Sequence, residues 1–383
     1  MLPDLVDSLV PSLIELRRDL HRNPELGFSE FRTTKRIAEA LEAHGLPLTI
    51  RDAGTGGWLE IGEGERLVAY RADIDALPLE EESRLSFRSE VPGVMHACGH
   101  DAHTAIGVGV AATLAARGDL PGRVRFLFQP AEEVWPGGAE SMLEERLLEN
   151  VERIIAMHVD PALETGSIGL KPGPITSSSD RFTITFRGPG GHTSRPHESP
   201  DTIFAAGKVI TELQGLLSRH IDTRTPVAVA FGAIHGGEAA NVIPAAVTLT
   251  GTMRVASLEL WETIGDLFID LVHRIVSATG VQADINYEKG LGPVNNDPEV
   301  VWAVERGASE VLESHCVRST YTSMGAEDFS VFSARVPATL IRLGCKIEGH
   351  KTTLHSTRFE LNEDAIRIGT LVGAAAVLAL LDG

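Results

Sequence analysis

The stretch from Met95 to Thr104 is unusually dense in side chains that bind metals, because it contains three histidines, a cysteine and an aspartate. Thiolate and neutral imidazole are common zinc ligands, and carboxylate is also used. Residues at positions i and i+2 face the same way in an extended chain, so Cys98 and His100 could bind one metal ion together. A helix that begins near Asp101 would point its positive end at this loop and favour the thiolate form of Cys98. The alternative is a surface loop of histidines around a buried cysteine.

Further candidate ligands follow apolar segments of the chain. Glu132 and Glu133 come directly after the predicted strand 124–128, and His158 ends the next apolar run. Ligands collect at the carboxyl ends of strands in open α/β sheets, so one crevice could hold these side chains beside the histidine-rich loop. Neighbouring side chains diverge, which predicts that one glutamate binds metal and the other is a general base on metal-bound water. Viewed alone, the glutamates could be solvated acids, and His158 and His355 could be ordinary core histidines.

The segments around these residues predict the elements that must position them. Strands alternate with helices in the first part of the chain, which predicts an α/β unit with a largely parallel sheet. Near Gly173 the pattern changes to strand–helix–strand–strand–helix, which indicates a small α+β module with an antiparallel sheet. The alternating pattern returns after Asn295. We therefore expect a discontinuous catalytic domain, residues 1–175 and 290–383, with a smaller domain, residues 176–289, inserted between its two parts.

Two further stretches are predicted to be helical. Ser141 to Leu148 follows the strand that precedes the paired glutamates. The apolar stretch from Ile368 to Leu381 is shorter than the ~20 residues that a membrane span needs. We therefore expect it to form a buried C-terminal helix.

Composition limits the classes of function. The 383 residues carry a formal net charge of -19, which repels nucleic acid and offers no basic patch to an anionic membrane. The three cysteines show no spacing of a disulfide framework, and the first residues show no secretory signal. These features predict a cytoplasmic protein with no nucleic acid or membrane partner.

Several motifs recur here in the order that one known family shows. The motifs are, along the chain, Leu20–Gly27 (LHRNPELG), His96–Asp101 (HACGHD), Gln129–Glu133 (QPAEE), Gly190–His192 (GGH), Asn241–Pro244 (NVIP) and Gly325–Phe329 (GAEDF). This combination covers nearly the whole chain. It resembles the aminoacylase/carboxypeptidase-type dinuclear metallopeptidases, in particular the subgroup with hippurate hydrolases, auxin-conjugate hydrolases and N-acetyl-diaminopimelate deacetylases.

The resemblance implies a metal centre for two divalent ions per subunit. The ligands that it implies are Cys98, His100, Glu133, His158 and His355, with Cys98 expected to bridge the two ions. Glu132 matches the family's general base. Mixed sulfur, nitrogen and oxygen ligands allow zinc, manganese, cobalt or nickel. Other branches carry a His-x-Asp motif where this chain has Arg71-Ala72-Asp73, so that histidine ligand is absent and Asp73 is expected to orient a ligand.

The resemblance also implies a fold, an assembly and a substrate class. The catalytic domain is expected to have three layers around a mixed sheet, and the inserted domain to be a ferredoxin-like lid through which the protein dimerises. The expected assembly is a homodimer or homotetramer. His192 is expected to reach the active site of the partner subunit and help hold the oxyanion. Asn241 and Arg254 are candidates to hold a substrate carboxylate, since arginine can bind one in bidentate fashion, and Gly325 belongs to a substrate-side loop. The implied substrate is a small N-acyl amino acid.

Two other functions remain open at this point. Cys98 could be a nucleophile activated by His100 or His96, giving a metal-free thiol hydrolase. The chain could also be a non-catalytic metal-binding protein, although storage alone needs no glutamate beyond the ligands. A chelator should abolish the activity of a metal-dependent hydrolase and leave that of a metal-free thiol hydrolase intact. Turnover of any N-acyl amino acid would exclude a non-catalytic protein.

Overall fold

The computed structural model describes residues 1–382, and its elements follow one another as expected for a mixed α/β chain. The helices are α1 (Leu2–Arg22), α2 (Phe31–Glu42), α3 (His100–Arg117), α4 (Gly138–Glu144), α5 (Thr202–His220), α6 (Leu258–Ser277), α7 (Pro298–Val311), α8 (Phe329–Ser333) and α9 (Asp364–Leu381). The strands are β1 (Thr49–Ile50), β2 (Gly57–Gly62), β3 (Leu67–Asp73), β4 (Arg123–Gln129), β5 (Arg153–Glu164), β6 (Ile168–Leu170), β7 (Gly173–Pro174), β8 (Asp180–Arg187), β9 (Gly191–His192), β10 (Val227–His235), β11 (Val242–Ile243), β12 (Ala246–Val255), β13 (Gln282–Glu288), β14 (Asn295–Asn296), β15 (Val317–Ser319) and β16 (Ala338–Lys346).

The chain divides into two compact units. The first consists of Met1–Gly173, Asn295–Tyr321 and Val331–Gly383, and the second of Pro174–Val294 with Thr322–Ser330. The first unit is therefore built from both ends of the chain.

A mixed sheet forms the centre of the first unit. Within the described residues it has eight strands in the order β1-β2-β4-β3-β5-β16-β6-β15. The pairs β4–β3, β3–β5 and β5–β16 at its centre are parallel, and antiparallel pairs flank them. Every residue of β3 is buried, as expected for a parallel strand that is covered on both faces. The carboxyl ends of these central strands lie at one edge of the sheet, and Glu132 and Glu133 follow β4 there.

The C-terminal helix α9 packs into the same core. Its length and apolar composition would allow it to cross a membrane, but 83% of it is buried inside the protein. Glycines allow it to approach α3 closely, because a β-carbon at Gly369 would lie 2.6 Å from the Ile106 side chain and one at Gly109 would lie 2.8 Å from Thr370. The helix predicted over this stretch is therefore a core element of the first unit.

The second unit has the order β8–α5–β10–β12–α6–β13 around an antiparallel sheet in the order β10-β12-β8-β13. Burial along β8 alternates, and its inward residues Phe182, Ile184 and Phe186 pack beneath the two helices. This arrangement confirms the predicted ferredoxin-like α+β architecture of the inserted segment.

Two elements end differently from their predicted bounds. The helix predicted over Ser141–Leu148 is α4, which ends at Glu144, because Arg146 adopts a φ of 60° and turns the chain out of the helix. Strand β5 continues past His158, since its pairing with β16 extends to Glu164 and Lys346. His158 therefore lies within a strand rather than at its end.

A buried ionic cluster joins α1 to the start of α3. Arg17 is 1% exposed, and its Nε donates to Asp101 Oδ2 at 2.7 Å, while His21 Nδ1 lies 2.8 Å from the same oxygen. Burial alone would raise the pKa of Asp101, but Arg17 and His21 hold it well below its usual range. The cluster therefore keeps Asp101 ionised inside the core.

Replacing Arg17 with methionine is expected to lower the free energy of unfolding by about 3–5 kcal/mol, because it leaves the Asp101 carboxylate buried without its main cation. Arg18 is the matched control: its side chain is 44% exposed and it pairs with Glu363 near the surface, so Arg18→Met should cost no more than about 1 kcal/mol. Denaturant unfolding of both variants checks this. Equal losses in the two variants would contradict it.

Candidate metal centre

The histidine-rich loop and strand β5 bring three buried donors together. The ligand atoms of Cys98, His100 and His158 all lie within 4.8 Å of one another, and Cys98 Sγ is 3.4 Å from His158 Nε2. Cys98 stands in the loop before α3, and His100 is the first residue of that helix. Sulfur and imidazole nitrogen at this spacing suit a transition-metal ion.

A second donor group adjoins the first and shares its cysteine. Cys98, Glu133 and His355 also have ligand atoms within 4.8 Å of one another, and His355 Nε2 is 3.0 Å from Glu133 Oε1. His355 is positioned by a backbone bond from its N–H to Ala97 O at 2.8 Å. Glu132 lies at the same place, in a group with His100 and Glu133. The five ligands that the sequence predicts thus form one continuous cluster, with the predicted general base beside it.

Hydrogen bonds orient two of the histidines so that a lone pair faces the cluster. His100 Nδ1 lies 3.0 Å from Asp75 O and 3.1 Å from Asp75 Oδ1, so it donates, and its buried Nε2 has no hydrogen-bond partner among residues 1–382. His158 Nδ1 donates to Val159 O at 2.8 Å, which directs Nε2 toward Cys98. An unpartnered buried nitrogen is costly, and a cation at this place would satisfy it.

The electrostatics of the cluster also favour a cation. Burial lowers the pKa of His100, but Asp73, Asp75 and Glu133 outweigh it and raise this pKa to about 10. The same carboxylates would stabilise a divalent ion bound at His100 Nε2 in place of the proton. The residues therefore fit the metal ions that the sequence predicts.

The pKa of the Cys98 thiol differs from what the sequence predicts. The start of α3 was expected to favour its thiolate, but burial and the neighbouring Glu133 and Glu132 raise the pKa of the thiol well above its usual value. A thiolate at this place needs a compensating positive charge. This observation disfavours Cys98 as a metal-free nucleophile.

Asp73 and His103 form a support behind the cluster. Arg71 Nη1 donates to Asp73 Oδ2 at 2.5 Å, and His103 Nδ1 donates to Asp73 Oδ1 at 2.6 Å. His103 Nε2 accepts the backbone N–H of Val159 at 2.9 Å, so both of its nitrogens are engaged and it is a poor candidate ligand. Asp73 lies 3.8 Å from His100 Nε2, near enough to act on it electrostatically.

Sequence reasoning missed Asp75. Its carboxylate contacts His100 Nδ1 and also accepts the backbone N–H of Glu133 at 2.9 Å, so one side chain orients two candidate ligands. The signal was present in the sequence, because Asp75 stands two residues after Asp73 and an extended chain presents both on one face.

The remaining predicted residues lie in the second unit, in two pairs. His192 in β9 is paired with Val242 in β11, and Asn241 O accepts the N–H of Thr193 at 3.2 Å. His192 Nδ1 accepts the backbone N–H of Ser194 at 3.1 Å, so a neutral ring carries its proton on Nε2 and can donate from there.

The other pair lies against the segment that contains Ser177 and Ser178. Arg254, half-buried at the end of β12, donates to Ser178 O at 3.4 Å, and Gly325 O accepts the N–H of Ser177 at 3.0 Å. The predicted substrate-binding residues Arg254 and Gly325 are thus neighbours through this segment.

Comparison with known proteins gives the same family for most of the chain. The family described as Peptidase family M20/M25/M40 matches residues 69–379. The N-acetylcysteine deacetylase of Bacillus subtilis (strain 168) is 37% identical over 374 residues, covering 97% of each chain. A Bacillus subtilis structure described as a dinuclear metal binding peptidase from M20 family aligns with a TM-score of 0.88 and 34% identity, covering 98% of this chain and 99% of that one.

One relative is much longer than this chain. It comes from Rhodococcus jostii (strain RHA1) and is named as a glutamate–cysteine ligase. It is 40% identical over 356 residues, which are 92% of this chain but 45% of that protein. This chain therefore spans less than half of that relative's length.

Proposed function

The chain belongs to peptidase family M20/M25/M40, and from that premise we propose that this metal-dependent hydrolase removes the acyl group from N-acyl amino acids. The observation that carries the proposal is the cluster of sulfur, nitrogen and carboxylate donors that meet at Cys98, with Glu132 beside them. The similarity to an N-acetylcysteine deacetylase supports the substrate class.

Each residue of the cluster has a part in the proposed reaction. The proposed ligands of two divalent ions are Cys98, His100, Glu133, His158 and His355. When bound, such ions supply Lewis acidity and an acidified water. Glu132 would act as the general base toward the attacking water and as the acid that protonates the leaving amine. Asp75 keeps His100 and Glu133 in place through its two carboxylate oxygens.

The substrate carboxylate is proposed to bind to Asn241 and Arg254, with Gly325 in the adjoining loop. The guanidinium of Arg254 suits a carboxylate, since it can donate two parallel hydrogen bonds. The proposal also includes zinc, manganese, cobalt or nickel as the native ions, a homodimer or homotetramer, and a cytoplasmic location. Metal analysis and light scattering of the purified protein test the first two.

The direct test is a hydrolysis screen with protein loaded with each of the four metals. The panel contains N-acetyl, N-benzoyl, N-succinyl and indole-acetyl amides of several amino acids, with N-acetyl-L-cysteine among them. We expect release of free amino acid from at least one acyl class. A metal-loaded protein that hydrolyses no member of the panel would refute the proposal, and a non-catalytic metal-binding function would then be favoured.

Replacing His192 with alanine is expected to lower kcat by about 10²–10³, because its Nε2–H is the proposed donor to the oxyanion. Metal content should not change. His197 is the matched control, since it lies in the same segment with a side chain that is 76% exposed, and His197→Ala should retain activity. Equal kcat values for the two variants would show that His192 takes no part in the reaction.

A further inference from the structure

Glu30, the residue before α2, is a buried carboxylate that the proposed reaction does not use. It is 0% exposed, and its Oε1 accepts the backbone N–H of Ala131 at 2.7 Å. Its Oε2 is buried and has no hydrogen-bond partner among residues 1–382. One bond of this buried carboxylate therefore goes to the residue before Glu132.

Ala131 adopts a backbone conformation that alanine does not favour. Its φ is 54°, in the left-handed region where the β-carbon crowds the following carbonyl. Ala131 O accepts the N–H of Gly138 at 2.9 Å, so both backbone groups of this residue are bonded. Such a conformation persists only where the surroundings hold it, and it often occurs at functional sites.

Two carboxylates hold the turn on either side of Glu132. Glu30 takes the N–H of Ala131, and Asp75 takes the N–H of Glu133 at 2.9 Å. The backbone on both sides of the proposed general base is therefore fixed by side chains from elsewhere in the first unit.

Glu30 is itself held firmly at the start of α2. Its backbone O accepts the N–H of Thr34 at 2.9 Å, and Thr34 Oγ1 accepts the N–H of Gly56 at 2.8 Å. A rigid helix start carries the carboxylate, so its bond to Ala131 transmits a defined position.

We propose that Glu30 is a positioning residue whose carboxylate fixes the Ala131 turn and thereby the direction of the Glu132 side chain. This inference rests on the proposed function, because it gives Glu132 the part of the general base. A misplacement of about 1 Å in such a group can cost 10²-fold in rate. The bond to Ala131 needs one acceptor oxygen and no negative charge.

The charge state of Glu30 makes glutamine a faithful substitute. Burial raises the pKa of Glu30 to about 7, its backbone hydrogen bonds oppose the rise, and Asp75 adds to it. Either protonation state leaves an oxygen for Ala131, as glutamine does. Methionine fills a similar volume without an acceptor.

The experiment compares Glu30→Met and Glu30→Gln in manganese-loaded protein, with Glu25→Met as the structural control. Glu25 caps the same helix by accepting the N–H groups of Arg32 and Thr33 at 3.1 and 2.7 Å. The readouts are hydrogen exchange of the Ala131 amide, metal content, and kcat and KM on N-acetyl-L-cysteine together with the rest of the acyl panel.

For Glu30→Met we expect exchange of the Ala131 amide that is about 10-fold faster or more, and kcat lower by roughly 10–100-fold, with KM and metal content unchanged. Glu30→Gln should match the wild type. Glu25→Met should lower the melting temperature without lowering kcat.

Three outcomes would overturn the inference. They are unchanged exchange in Glu30→Met, loss of metal in that variant, and an equal loss of kcat in Glu25→Met. A wild-type protein that hydrolyses none of the panel would refute the proposed function instead. The amide exchange would then decide alone whether Glu30 holds the turn.

Discussion

Replacing Glu132 with glutamine is expected to lower kcat by roughly 10²–10⁴ while leaving the metal content near that of the wild type, because a positioned general base contributes about this factor. Glutamine keeps the size of the side chain and removes its ability to take a proton. KM should change little, since the substrate is bound by other groups.

Glu133→Gln is the control that separates the two neighbouring glutamates. Glu133 meets Cys98 and His355 in one donor group, so its loss should reduce metal content as well as activity. Metal analysis of both dialysed variants together with their kcat values checks the assignment. If Glu132→Gln loses its metals and Glu133→Gln keeps them, the two roles are reversed.

Removal of the metals is expected to abolish hydrolysis. Dialysis against a strong chelator should reduce activity to background, and added zinc or manganese should restore it, because carbonyl polarisation and water activation both depend on the ions. Burial and the neighbouring Glu133 and Glu132 raise the pKa of the Cys98 thiol well above its usual value, which disfavours a thiolate nucleophile in the metal-free protein.

The result also separates the metal mechanism from a thiol nucleophile. A thiol hydrolase would keep its activity in chelator and lose it on alkylation of Cys98. The metal mechanism would therefore be wrong if protein that metal analysis shows to be metal-free kept full activity. Recovery with one ion and not with the others would identify the ion that suits the cluster.

Local sequence patterns predicted much of the architecture. The apolar run at 124–128 predicted β4, and the change of pattern near Gly173 predicted the antiparallel sheet that contains β8. The expectation that polar residues after parallel strands would meet at one sheet edge brought Glu132, Glu133 and the histidine-rich loop together correctly. These features are encoded locally, by side-chain period and by strand direction.

The rest depends on contacts between distant segments. Strand β2 pairs with β4 rather than with its neighbour in sequence, β3, and β5 continues beyond His158 because β16 lies beside it. Glu30 lies 101 residues before Ala131, so no local pattern could relate them. The raised pKa of Cys98 likewise follows from burial and from acidic neighbours that come together only in the fold.

The pairing of β5 with β16 has a consequence for how the protein is made. Ile154 pairs with Ala338, and His355, a member of the donor cluster, comes later still. During synthesis the contiguous βαββαβ module can fold as soon as it leaves the ribosome, whereas the larger sheet must wait for the end of the nascent chain. Until β16 has been synthesised, β5 is an unpaired edge strand, and such an edge can pair with another chain. A chaperone is most useful during this period.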